Sequence, residues 1–346
     1  MDGMNHALVL CAGLGIRLRP LTDETPKPLI RFLDRPMIDY AIDALVDAGV
    51  TTLGFNGHHA HEQLTKHIDA RKAEIEGRGA GRLRSVVVTE PTLLGTGGGA
   101  MGVWRALGSP EGTLAIVNGD VVSTLPLREM LKVHRRSGAI ATLMVIPPIA
   151  GEGAVRTGPS GHFIAELPGS REQMISPRYE PSKPVTFGGV YLVEPCVFDG
   201  LPPGTSCLIR HGLAPKLSAG ALIAAYEHHG FWADVGTCNR YLSATFRVLA
   251  DASVFPSGPL KPRAERRYIP DHRSVHPTAE IQANVYVAPG AVIEAGARVG
   301  PNVVVGTGCT IRAGAEVSDA VFSDGAEISG RVSKQVVAGS KVLRAT

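Results

Sequence analysis

Between Gly13 and Leu29 the chain reads Gly-Leu-Gly-Ile-Arg-Leu-Arg-Pro-Leu-Thr-Asp-Glu-Thr-Pro-Lys-Pro-Leu, directly after the short apolar run Ala7–Cys11. Ala12 and the two glycines at a strand end let backbone N–H groups come close to an anion. Arg17 and Lys27 bring two cations to the same loop. Pro20, Pro26 and Pro28 stiffen it, since each fixes its own φ and restrains the residue before it. A rigid, glycine-bearing, doubly cationic loop after a first strand suits a polyphosphate. It is not a P-loop, because no Gly-Lys-Ser/Thr follows the glycines.

The full string Gly-x-Gly-x-Arg-Leu-x-Pro-Leu-Thr-x-x-x-Pro-Lys-Pro resembles the signature of the sugar-1-phosphate nucleotidyltransferases. The resemblance implies a Mg²⁺-dependent reaction in which a sugar 1-phosphate attacks the α-phosphate of an NTP and pyrophosphate leaves. Such a reaction concentrates negative charge, so cations and positioning matter more than a covalent nucleophile. By the same resemblance Asp120, in Ile116-Val-Asn-Gly-Asp, and Asp234, in Phe231-Trp-Ala-Asp-Val-Gly-Thr, are the metal carboxylates. Mg²⁺ prefers such hard oxygen ligands. Arg17 is expected on the β- and γ-phosphates, and Lys27 on the α-phosphate as charge builds there. Gly119 joins the nucleotide side and Asn118 the sugar side.

The nucleobase is expected near Glu90-Pro-Thr-Leu-Leu-Gly-Thr-Gly-Gly-Gly, against Gly95, Thr96 and Gly97. A carboxylate accepts from guanine N1–H and N2–H₂, so Glu90 favours GTP; UTP or dTTP is the alternative, and a plain strand-end charge is the bland reading of Glu90. For the sugar, Glu166, Gly189 and Tyr191 match family positions. The family's phosphate-holding lysine, however, is Leu167 here, which cannot bind an anion. Arg171, Lys183 and Arg156 are the cations available to replace it.

These residues need a frame. Strands are predicted at Ala7–Cys11, Thr52–Phe55, Ser85–Thr89, Leu114–Asn118 and Thr142–Ile146. Helices are predicted near Met37–Asp47, His61–Ile75, Gly98–Leu107 and Leu127–Ser137. Ile38, Ala41, Ile42 and Leu45 give the first helix one apolar stripe. The alternation implies an α/β, Rossmann-like, mostly parallel sheet with helices on both faces, whose ligands bind beyond the strands' carboxyl ends. The region from Gly151 to about Ala250 is less regular and reads as the sugar side, with short strands near His162–Leu167 and Val185–Val193, then helices at Leu208–Ser218 and Asn239–Ala250.

From about Ser274, Ile281, Val287, Ile293, Val299, Val305, Ile311 and Val317 recur every six residues. This period marks a parallel β-helix of hexapeptides, and the resemblance makes it left-handed. The phase breaks after Val317 and resumes near Ile328. The expected domains are a catalytic domain at 1–252, a Pro- and Arg-rich linker at 253–273 and the β-helix at 274–346. The tail has its own repeat core and no catalytic motif, and is expected to make the protein a homo-oligomer.

A chain of 346 residues with 44% hydrophobic and 19% charged residues is that of a globular protein. A net charge of +3 without a basic arm gives no case for nucleic acid or membrane as partner. Five scattered cysteines read as reduced thiols, and with no apolar run of membrane-spanning or signal length a cytoplasmic location is expected. His58, His59 and His61 read as a solvated loop and helix start. A non-catalytic NDP-sugar-sensing subunit would be expected to lack Arg17, Lys27, Asp120 or Asp234, and all four are present. An acyltransferase would need more coils and a histidine better placed than His276.

Overall fold

The computed structural model describes residues 4–79, 81–149, 155–261 and 265–346. Gly151–Ala154, at the start of the expected sugar side, and 262–264, in the expected linker, lie outside the described residues. The chain's contacts divide it into two compact units. Unit 1 comprises Met1–Gly13, Ala41–Gly119 and Leu125–His229; unit 2 comprises Leu14–Tyr40, Asp120–Thr124 and Gly230–Thr346.

Unit 1 is the α/β sheet. Strands Arg84–Thr89, Thr52–Gly57, His6–Leu10 and Leu114–Asn118 lie side by side in that order, all parallel, with Val9 opposite both Phe55 and Val117. Lys183–Val193 continues the sheet antiparallel to Leu114–Asn118, and Ala141–Ile146 and Ile223–Glu227 follow it. A meander of Val155–Thr157, Ile164–Pro168 and Gln173–Ile175 extends from the first half of Lys183–Val193. Leu114–Asn118 and Ala141–Ile146 are mainly apolar runs buried almost throughout and Thr52–Gly57 is buried at every position, as strands covered on both faces are, whereas the edge strand Arg84–Thr89 is only half-buried. Helices Met37–Asp47, His61–Gly77, Gly95–Ala106 and Leu127–Ser137 connect them, and the predicted stripe Ile38, Ala41, Ile42 and Leu45 is buried.

The glycines of helix Gly95–Ala106 answer a packing demand. A Cβ at Gly95 would come 2.5 Å from the Ser206 carbonyl oxygen, one at Gly98 2.4 Å from that of Gly204, and one at Gly99 2.6 Å from Glu90 Oε1. Such distances are far inside van der Waals contact, so the helix sits against the 204–208 segment only because side chains are missing.

In unit 2 the tail is a three-sided stack of short parallel strands. Val285 pairs with Val303, a coil of eighteen residues; Val303 pairs with Ala320, one residue fewer; Ala320 pairs with Gln335, two fewer again. This explains the lost phase after Val317. The corner Gly300-Pro301-Asn302 is replaced in the next coil by Ser318-Asp319, so Glu316–Ser323 runs through it as one strand. Polar corner side chains form a ladder: Asn284 Nδ2 donates to Asn302 Oδ1 at 2.9 Å, and Asn302 Nδ2 to Asp319 Oδ1 at 2.7 Å. Lys341–Arg344 folds back antiparallel on the last coil.

The tail's interior is closed by Val287, Ile293, Val299, Val305, Ile311 and Val317. One of its outer faces belongs to a second core. There Tyr286, Val304, Val321 and Val336 meet Ile30, Phe32, Leu33 and Tyr40, together with Phe231, Tyr241 and Phe255. Phe32 sits at its centre, with ring centroids of Tyr40, Phe231, Tyr241 and Phe255 6.1–6.4 Å away. The segment predicted as a linker contributes Phe255 and Leu260 to this core and Arg267–Tyr268 to the strand stack. Among the described residues no helix is long and apolar enough to cross a membrane.

Candidate active site

The loop after the first strand folds tightly on itself. Gly15 has φ +63°, and a Cβ there would lie 2.9 Å from Thr22 Cγ2 and 3.0 Å from Lys27 Cβ. Thr22 Oγ1 donates to the Gly15 carbonyl at 2.9 Å, which ties the two arms together. Lys27 opens the short helix Lys27–Leu29, with Pro26 and Pro28 on either side.

Lys27 is 7% exposed at its side chain and its ammonium is shared by two carboxylates: Nζ lies 2.7 Å from Asp120 Oδ2 and 3.7 Å from Asp234 Oδ1. Strand pairing brings the carboxylates together. Trp232–Asp234 runs antiparallel to Val121–Ser123 with Asp234 opposite Val121, the residue after Asp120. Helix Cys238–Ala250 then begins at once, its Thr237 hydroxyl accepting from Arg240 N–H. This start places Arg240 Nη1 2.6 Å from Asp234 Oδ2. A Cβ at Gly236 would come within 2.8 Å of both Arg17 Nη2 and Asp234 Oδ1, so a glycine there leaves room for the Arg17 guanidinium beside the carboxylate. A cavity of about 330 Å³ opens next to Asp234, lined by Trp232, Asn239, Arg240, Ser243 and Arg247.

Unit 2 thus gathers Arg17, Lys27, Asp120 and Asp234, and adds Arg240, which no local pattern announces. Two carboxylates and three cations in one place can hold a divalent ion and phosphate oxygens together. Among the described residues no cluster of three or more Asp, Glu, His or Cys forms a complete metal cage. Two carboxylates sharing one ammonium still fit Mg²⁺, which takes one or two carboxylates and completes its shell with phosphates and waters.

In unit 1 the predicted residues divide. Ala12 is buried and Gly13 exposed at the strand end. Gly119 is pressed against the first strand, its N–H donating to Leu10 O at 2.9 Å and a Cβ there 2.9 Å from Cys11 Sγ. The Asn118 Oδ1 acceptor is buried without a partner among the described residues. Thr96 Oγ1 accepts from Leu208 N–H at 3.0 Å and Gly97 N–H donates to Ser206 O at 2.8 Å, so both serve helix docking.

Glu90 is 2% exposed, and both its oxygens are engaged. Oε1 accepts from Asn56 Nδ2 at 2.7 Å and Oε2 from Leu94 N–H at 2.9 Å. Asn56 in turn accepts from Cys11 N–H at 2.7 Å. The carboxylate ties the first two strands to the turn before Gly95.

On the sugar side, Glu166 faces Arg156 across paired strands, with Arg156 Nε 3.8 Å from Glu166 Oε2. Leu167 is wholly buried in the sheet core. Tyr191 is 2% exposed and packs on Phe187 with centroids 4.3 Å apart; burial pushes its phenol far above the ordinary range. Gly189, at φ +84°, takes up an irregularity between Phe187 and Tyr191 in the pairing with Ala141–Ile146.

Comparison with known proteins matches residues 6–251 to the family described as nucleotidyl transferase. A mannose-1-phosphate guanyltransferase of Hypocrea jecorina is 30% identical over 283 residues, which span 80% of this chain and 73% of that protein. A probable mannose-1-phosphate guanylyltransferase 3 of Oryza sativa subsp. japonica is 29% identical over 304 residues, 84% of this chain and 76% of that one. A UDP-glucose pyrophosphorylase solved with UDP-glucose aligns with TM-score 0.56 and 19% identity over 70% of this chain and 97% of its own, a likeness of fold. With residues 6–251, more than two thirds of its length, in the family's pattern, the chain belongs to the nucleotidyl transferase family, as a distant relative of the mannose-1-phosphate guanylyltransferases.

Proposed function

We propose that the protein is a Mg²⁺-dependent sugar-1-phosphate nucleotidyltransferase that favours GTP. The observation that carries the reading is the Lys27 ammonium held between Asp120 and Asp234, with Arg17 and Arg240 beside Asp234. A phosphate oxygen of the sugar 1-phosphate attacks the α-phosphorus; the bond to the bridging oxygen breaks, and pyrophosphate carries the electron pair away. Lys27 neutralises the α-phosphate as its charge rises, and Arg17 and Arg240 hold the phosphates that leave. Asp120 and Asp234 hold Mg²⁺, which when bound neutralises and orients the phosphates.

On the acceptor side, Arg156 takes the role that Leu167 cannot. It is the one of the three candidate cations that stands opposite Glu166 in the strand register. The unpartnered Asn118 Oδ1 suits a sugar hydroxyl donor. The guanine preference rests on the named relatives and not on Glu90, whose oxygens are already engaged. Self-association through the tail remains part of the reading. One tail face is occupied within unit 2, which leaves the faces carrying the Arg298–Glu280 and Arg312–Glu294 pairs to a second copy.

The experiment is a matrix of NTPs against sugar 1-phosphates with Mg²⁺, read by pyrophosphate release. Metal-dependent release, highest with GTP and mannose 1-phosphate, is expected. No release from any pair would end the reading. A tenfold preference for UTP or dTTP would remove guanine alone.

A further inference from the structure

Leu33 and Asp34 form the two-residue turn between strands Arg31–Phe32 and Arg35–Pro36, and both are left-handed, with φ +48° and +64°. A tight hairpin turn asks for this conformation and is met most easily by Asn-Gly. Leucine has no local compensation there, so the turn persists only if its surroundings hold it.

The tail supplies that hold. The Asp34 carboxylate, 8% exposed, accepts from Thr307 N–H at 3.0 Å and from the Thr307 hydroxyl at 2.7 Å. The seat exists because position 306 is glycine: a Cβ there would come 2.6 Å from Asp34 Oδ1. Leu33 is buried in the core that contains Val304 and Val321 of the tail. Arg31 Nε reaches Asp324 Oδ1 at 3.1 Å, and the Tyr241 hydroxyl donates to the Arg31 carbonyl. From this turn to Lys27 the path is short. Met37 N–H closes the hairpin on Ile30 O at 3.0 Å, and Ile30 N–H closes the Lys27 helix on Lys27 O at 3.0 Å.

We infer that the β-helix tail is part of the catalytic apparatus: through Asp34, seated on Gly306 and Thr307, it sets the position of the Lys27 ammonium. Asp34 is a positioning residue, acting through the loop. The inference rests on the role given to Lys27 above and adds a role for a tail that carries no catalytic motif of its own.

The test compares Asp34→Ala, Thr307→Val and Asp34→Asn in the full chain, by steady-state kinetics and amide hydrogen exchange. A displaced reacting group costs turnover more than binding, so Asp34→Ala should lower kcat about tenfold or more with the NTP KM within about twofold. Exchange of the 27–36 amides should accelerate about tenfold, with Val303–Val305 and His6–Leu10 unchanged. Thr307→Val, which keeps the backbone donor, should shift both in the same direction by less. Asp34→Asn should recover most of the loss, since its amide oxygen still accepts and Asn tolerates the left-handed region. Wild-type kcat or unchanged exchange in Asp34→Ala would overturn the inference, as would faster exchange spread through the tail and the sheet. If the wild-type protein transfers no nucleotide, the function assigned above fails, whereas the exchange arm still decides whether Asp34 holds the loop.

Discussion

The two units are built by opposite means. Unit 1 draws its core from strands and helices that follow one another in the chain, and among the described residues that core contains none beyond Ala225. Unit 2 assembles from Leu14–Tyr40, Asp120–Thr124 and Gly230–Thr346, so nearly everything that fixes its charged cluster is distant in sequence. Candidate residues behave accordingly. In unit 1, Glu90, Thr96, Gly97 and Tyr191 are committed to packing and internal hydrogen bonds. In unit 2, Lys27, Asp120, Asp234 and Arg240 are committed chiefly to one another, with the exposed Arg17 guanidinium beside them. A motif match therefore identifies which residues matter without saying whether they serve the fold or the ligand. Burial and the count of satisfied hydrogen bonds make that distinction.

The strongest way to break the contrast is to remove the tail from Ser274 onward. The sheet core should persist, because none of its members lies there. The second core would lose Tyr286, Val304, Val321 and Val336 from beneath Phe32 and Leu33. Each large apolar side chain left uncovered costs about 1.5–3 kcal/mol. We expect no measurable transfer, protease cleavage within 14–40 and 230–260, and retained helical circular dichroism. A truncated protein with full activity would show that the loop needs no support from the tail.

Next in size are the carboxylates. Asp120→Asn and Asp234→Asn keep the side-chain shape while removing the charge, and each should lower turnover by about a thousandfold with little loss of stability. Near-wild-type turnover under Mg²⁺ would deprive that residue of its metal role. Lys27→Met should lower turnover by about a hundredfold, with a smaller change in the NTP KM. It also leaves Asp120 and Asp234 without their shared ammonium. Mg²⁺ should therefore raise the melting temperature of Lys27→Met more than that of the wild type. An equal or smaller rise would mean that the carboxylates do not act as one site.

Legibility in the sequence follows the same division. Met37–Asp47, Leu114–Asn118 and Leu127–Ser137 have the predicted bounds, because apolar periodicity is a local signal. The hexad anchors up to Val317 all face the tail's interior except for Ile281 at its first rung, which packs against it partly exposed. The phase break was visible, but its cause, one residue lost from a corner, appears only in the register of stacked coils. The cationic loop and the two aspartates were legible as motifs. Arg240 was not, since only the immediate helix start after Gly236 turns it toward Asp234. Asp34 was not either, because Leu-Asp carries no turn signal and its partner Thr307 lies in another part of the chain.

The smallest expected effect sharpens the contrast from the side of unit 1. Cys11 N–H donates to Asn56 Oδ1, which fixes the Asn56 amide so that its Nδ2 must donate to Glu90 Oε1. Leu94 N–H donates to Oε2, so position 90 needs two acceptors and no donor. Glutamine supplies one of each. Its NH₂ would face either Asn56 Nδ2 or Leu94 N–H, and Gly99, whose Cβ position lies 2.6 Å from Oε1, shows how little room there is to turn away. Glu90→Gln should therefore lower folding stability by about 1–3 kcal/mol, the cost of a buried donor facing a donor. Its ranking of GTP, UTP and dTTP should match that of the wild type. Thermal melts beside the substrate matrix decide the matter. An unchanged melting temperature with relaxed discrimination against pyrimidines would return Glu90 to the nucleobase and erase the distinction drawn between the two units.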